Sequence, residues 1–104
     1  MEWIEVAGTA DFEHNNILQV EVDDEPVGIY KVGEEYYALH DVCSHAQAYL
    51  TEGGLVSEYE VECPLHGARF DVRDGRALCL PAIAPVEKFK VKIEDGSIFL
   101  GIEE

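Results

Sequence analysis

The sequence predicts an all-β fold, an antiparallel sandwich or barrel, and three observations carry that reading. Short runs of apolar and polar residues alternate with a period of two, as strands with one buried face do. Turn-forming residues punctuate these runs at short intervals: Asp23-Asp24-Glu25-Pro26, Gly33-Glu34, Asp74-Gly75 and Glu94-Asp95-Gly96-Ser97. No segment shows the 3.6-residue periodicity of a long amphipathic helix, so the βαβ units of a parallel sheet are not expected.

Taken in order, Trp3-Ile4-Glu5-Val6 alternates as a short strand, and Gly8-Thr9-Ala10-Asp11 breaks it. Ile17 to Val22 is the next strand, closed by the acidic turn with Pro26 as its stop. Val27–Val32 and Glu35–Leu39 follow as partners across Gly33-Glu34. Near the end, Phe89-Lys90-Val91-Lys92-Ile93 alternates strictly and turns through Asp95-Gly96 into Ile98-Phe99-Leu100. Between residues 41 and 80 the character changes. Glycines 53, 54, 67 and 75 with Pro64 and Pro81 mark a loop-rich insertion holding two short strands, Glu58–Glu62 and Ala68–Val72. The expected organisation is one domain over 1–104, with a base of 1–40 and 81–104 and an inserted subdomain of 41–80.

That insertion carries the chemistry. Cys43-Ser44-His45 and Cys63-Pro64-Leu65-His66 stand as C-x-H-x17-C-x-x-H. Each pair joins a thiolate donor to an imidazole donor, and each adjoins a strand that can hold it still. Zinc takes four such ligands, but usually from C-x2-4-C and H-x3-5-H spacings, and a one-residue gap lies outside these. A dinuclear iron–sulfur cluster spanning two loops suits mixed pairs better, since each loop gives sulfur to one iron and nitrogen to the other. Of the other histidines, His14 lies in a polar loop and His40 reads as a strand end. Cys79 is an odd thiol with no role assigned.

Composition bounds the rest. A chain of 104 residues is one domain with a modest core, leaving no room for a second catalytic module. A formal net charge of −15, from 22 acidic against 7 basic residues, argues against nucleic acid as a partner. It favours a basic protein surface, or solubility alone. The start, Met1-Glu2-Trp3-Ile4-Glu5, has neither the basic nor the apolar region of a secretory signal. No apolar run approaches the length of a membrane span. Three cysteines with no disulfide pattern fit a reducing compartment, and the cytoplasm is expected.

The CSH and CPLHG pairs resemble the Rieske family, and the likeness covers nearly the whole chain. It looks most like the Rieske ferredoxins of bacterial aromatic-ring-hydroxylating dioxygenase systems. The resemblance implies the Rieske fold, an antiparallel base with an inserted cluster-binding subdomain. It also implies one 2Fe–2S cluster, with Cys43 and Cys63 on the inner iron and His45 and His66 on the outer, exposed one. Leu50 and Gly53-Gly54 would be the packing residue and turn after the first ligand loop, and Leu80–Pro85 the loop over the cluster. Respiratory relatives carry a disulfide where this chain has Ala48 and Leu65, and hydroxyl donors where it has Ala68 and Phe70. Both departures imply a low-potential soluble type. The implied role is electron transfer, not catalysis: electrons come from a flavoprotein ferredoxin reductase using NADH or NADPH and go to a terminal oxygenase. A Rieske-like small subunit of a nitrite reductase, and a zinc-bound interaction module, stand as alternatives.

Overall fold

A computed structural model describes residues 2–43, 48–65, 67–79 and 84–102. The strands are β1 (Glu2–Gly8), β2 (Ile17–Val22), β3 (Glu25–Val32), β4 (Glu35–His40), β5 (Glu60–Glu62), β6 (Arg69–Asp71), β7 (Lys88–Glu94) and β8 (Ser97–Ile102). Six of them form one antiparallel sheet in the order β1-β8-β7-β4-β3-β2, and β5 with β6 forms a separate hairpin. The expected sandwich is thus a single curled sheet. Its halves join where β4 meets β7 over only two residue pairs, Ala38 with Phe89 and Leu39 with Lys88. Its end strands, β1 and β2, approach each other.

Tight turns set the register. Asp23 and Asp24 both take left-handed φ, 51° and 67°, as do Asp95 and Gly96 at 51° and 79°. These are type I′ turns, whose twist matches that of the strands they join. Gly33 alone has positive φ in its turn, which is the II′ pattern. The acidic turn therefore takes only two residues, and Pro26 lies inside β3, opposite Glu21. Proline has no N–H to give, but its carbonyl is used: it accepts the Asp41 N–H at 2.9 Å. In β1 the register slips between Glu5 and Ala7, so Val6 is a bulge residue.

Alternation along β3 and β4 separates two cores. Val27, Ile29 and Ala38 face one, with Phe12 from the helical turn after β1 and Val22, Ile98 and Leu100 from the curled sheet. Tyr30 and Leu39 face the other, with Leu50, Val61, Phe70, Val72, Val86 and two cysteines. Both faces of this pair of strands are covered, and each fully buried Leu, Ile or Phe contributes about 1.5–3 kcal/mol. The β5–β6 hairpin is clasped to the sheet from outside. Asp71 accepts Arg73 Nε at 3.0 Å and an Arg73 terminal nitrogen at 2.8 Å. The guanidinium lies 4.2 Å from the Tyr59 ring centre, and Tyr59 meets Tyr37 of β4 edge to face.

Candidate metal centre

Two loops rise from this second core, and they are built alike. In the first, the Cys43 N–H donates to the Ala48 carbonyl at 2.9 Å, beside a bridge between Val42 and Tyr49. In the second, the Cys63 N–H donates to the Ala68 carbonyl at 2.7 Å, directly beyond the β5–β6 pairing of Glu62 with Arg69. Each cysteine thus closes its loop through a carbonyl five residues on. Both are buried, Cys43 at 3% and Cys63 at 1% exposure, within one apolar cluster. His45 and His66 lie outside the described residues, as do 80–83 of the expected covering loop. Among the described residues no three His, Cys, Asp or Glu side chains gather at one point.

Glycines bring the loops together. Gly53, in the turn after the first loop, packs so closely on the strand entering the second that a Cβ would run into the Glu62 carbonyl oxygen. It would also stand 2.8 Å from that residue's carbonyl carbon. Gly54 and Gly67 are needed for another reason, since their φ values of 83° and 72° are in the region that favours glycine. Leu50 is fully buried beside the cysteines, in the packing place expected of it.

The remaining candidates divide as the sequence suggests. His14 is exposed. His40 ends β4 with its Nε2 2.8 Å from the Glu25 carboxylate and its Nδ1 accepting the Val42 N–H at 3.4 Å, so both nitrogens are engaged. Cys79 is exposed, its Sγ 3.7 Å from the Gly67 carbonyl oxygen. Ala68 and Phe70 are fully buried in the cluster that holds Cys43 and Cys63, and neither carries a hydroxyl. Sequence reading passed over Asp41, which is wholly buried two residues before Cys43. An acid set within Ala38-Leu39-His40-Asp41-Val42-Cys43 was the available signal.

Two buried thiols on matched loops, walled by apolar side chains, fit a group held by cysteine on its inner side. The apolar walls limit solvent access on that side, and solvent access tunes the potential of a redox centre.

Comparison with known proteins bears on which group that is. Residues 2–90 match the family model of the Rieske [2Fe-2S] domain. The chain is 41% identical over its whole length to the 3-phenylpropionate/cinnamic acid dioxygenase ferredoxin subunit of Shigella flexneri serotype 5b, covering 97% of that protein. Among solved structures it is similar to the ferredoxin of carbazole 1,9a-dioxygenase from Nocardioides aromaticivorans IC177. The TM-score is 0.91 at 34% identity, over 99% of this chain and 100% of that one. It is also similar to a chain in a complex of reduced oxygenase and oxidized ferredoxin in carbazole 1,9a-dioxygenase. There the TM-score is 0.86 at 33% identity, covering 94% of this chain and 91% of that one.

Proposed function

The chain belongs to the Rieske [2Fe-2S] domain family, and from that membership we propose that it takes electrons from a flavoprotein reductase and delivers them to a terminal aromatic-ring-hydroxylating oxygenase. It is an electron-transfer component with one Rieske-type 2Fe–2S cluster, not a catalyst. When bound, that cluster supplies a site that accepts and releases one electron at a time. We assign Cys43 and Cys63 to its inner iron and His45 and His66 to its outer iron. The observation that carries this assignment is the pair of matched loops, each fastening a buried cysteine through the backbone of Ala48 or Ala68.

The chain's own residues hold, shield and present. Leu50, Val61 and Phe70 keep water from the two thiols. Tyr49 and Leu65, in or beside the ligand loops, are 43% and 45% exposed. Large apolar side chains in the open suit a surface that a partner covers briefly. The oxygenase reading is supported by the carbazole relative, whose ferredoxin is seen in complex with its oxygenase. The reductase, its use of NADH or NADPH, the low potential and the cytoplasmic setting are parts of the same proposal. No helix among the described residues is long and apolar enough to cross a membrane. The division into a base of 1–40 and 81–104 with a cluster-binding part of 41–80 is supported by the separate β5–β6 hairpin and the two cores.

The test is substitution. Cys43→Ser, His45→Ala, Cys63→Ser and His66→Ala should each remove the normal cluster and electron delivery to a reconstituted oxygenase. His14→Ala, His40→Ala and Cys79→Ser should keep both. A normal cluster surviving in any of the first four overturns the assignment of that residue.

A further inference from the structure

Beneath the first ligand loop lies a buried polar knot that the function above does not use. The Asp41 side chain is wholly buried. Its Oδ1 accepts the Thr51 backbone N–H at 2.8 Å. Its Oδ2 accepts the Thr51 hydroxyl at 2.7 Å and the Gln19 side-chain amide at 2.6 Å. The backbone of the same residue donates to Pro26 at 2.9 Å and accepts the Leu50 N–H at 2.8 Å. One residue thereby ties β2 and β3 to both ends of the loop that carries Cys43. Gly28 leaves the space: a Cβ there would stand 2.8 Å from Thr51 Cγ2 and 3.2 Å from Asp41 Oδ1. It would also stand 2.8 Å from Tyr30 Oη, a buried hydroxyl with no hydrogen-bond partner among the described residues.

A carboxylate is a costly way to close a loop. Burying a charge costs several kcal/mol before its partners compensate, and a neutral amide could take many of the same bonds. What an amide lacks is the negative charge. Held out of water close to a redox centre, that charge opposes the arrival of another electron, because low-dielectric surroundings screen it poorly. We propose that Asp41 is a positioning residue for Cys43 whose buried carboxylate lowers the potential of the cluster. The inference rests on Cys43 being a ligand.

The test compares variants that move charge and packing in opposite senses, with midpoint potentials measured on the cluster-loaded protein. Asp41→Asn keeps an acceptor for Thr51 and removes the charge. It should retain two irons per chain and raise the reduced-to-oxidised ratio at fixed potential about tenfold, which is about 59 mV for one electron. Thr51→Val and Gln19→Met keep the charge and remove donors that compensate it, so their potentials should fall. Mere loosening admits water and raises the potential in all three. An unchanged potential in loaded Asp41→Asn, or a rise in all three variants, overturns the proposal. If Asp41→Asn does not load, the other two decide: a fall sustains it, and no change or a rise overturns it. The premise has its own readout, since a normal cluster in Cys43→Ser would refute ligation whatever the potentials.

Discussion

Phe70 offers a way to change the redox level by one oxygen atom. Its side chain is fully buried, in the same apolar cluster as Cys43 and Cys63, and its strand is paired on both sides, with Val61 and Ala77. In Phe70→Tyr the new hydroxyl has no water to meet. It either finds an acceptor in the cluster or stays unpaired. A bond to a cluster sulfur strengthens as the sulfur gains charge, so it favours the reduced state. Hydrogen bonds contribute about 0.5–1.5 kcal/mol when neutral and about 1.5–3 to charged groups. A difference of about 1 kcal/mol between redox states therefore converts to roughly 40 mV upward. An unpaired hydroxyl instead costs about 1–3 kcal/mol of stability and leaves the potential where it was. Voltammetry and denaturant unfolding on the same preparation separate these outcomes. Ala68→Ser should act alike, and the double variant should climb further from a starting value near the low end of the Rieske range, about −150 mV. A loaded Phe70→Tyr protein that loses stability with no change in potential would refute the placing of Phe70 beside the cluster sulfurs.

Three further outcomes follow from the same structure. Gly53→Ala forces a methyl into the Glu62 backbone just before Cys63; it should cost about 3 kcal/mol in urea unfolding and lower cluster loading, and full loading at unchanged stability would contradict the close approach. Hydrogen bonds from Arg73 hold the Asp71 carboxyl below its ordinary value. A depressed acid stabilises the fold above its unfolded pKa, about 3.9, and loses that contribution as pH falls through the folded value. Arg73→Met should accordingly destabilise near neutrality and converge with the parent chain in strong acid, and a gap independent of pH would contradict the linkage. With a net charge of −15, stopped-flow reduction by the proposed reductase should slow as salt shortens the Debye length from about 10 Å at 0.1 M, and a flat rate under docking-limited conditions would leave the charge to solubility.

What could be read from the chain was mostly local. Asp95-Gly96 and Gly33 name their own turn types, and the alternation through Lys88–Glu94 and Ser97–Ile102 names a hairpin. Strand ends were less legible. Glu58 and Tyr59 have strand-like composition but lie in a bend before β5, although the Tyr59 carbonyl still accepts the Val72 N–H at 2.8 Å. Pro26 reads as a stop, yet two left-handed aspartates complete the turn before it. Long-range facts left the faintest trace. That β4 meets β7 through two pairs, making a curled sheet of the expected sandwich, depends on residues some fifty positions apart. Gly53 and Gly54 look equivalent in sequence, but one is required by φ and the other by a neighbouring backbone. Asp41 is bonded by Gln19, 22 residues earlier, a pairing that no local pattern encodes.

The most direct test of the account is the metal and sulfide content of the purified protein, measured with its visible spectrum and a reductive titration. Two irons and two acid-labile sulfides per chain, a red-brown colour and uptake of one electron are the expected result. A colourless protein carrying stoichiometric zinc and accepting no electron would contradict it.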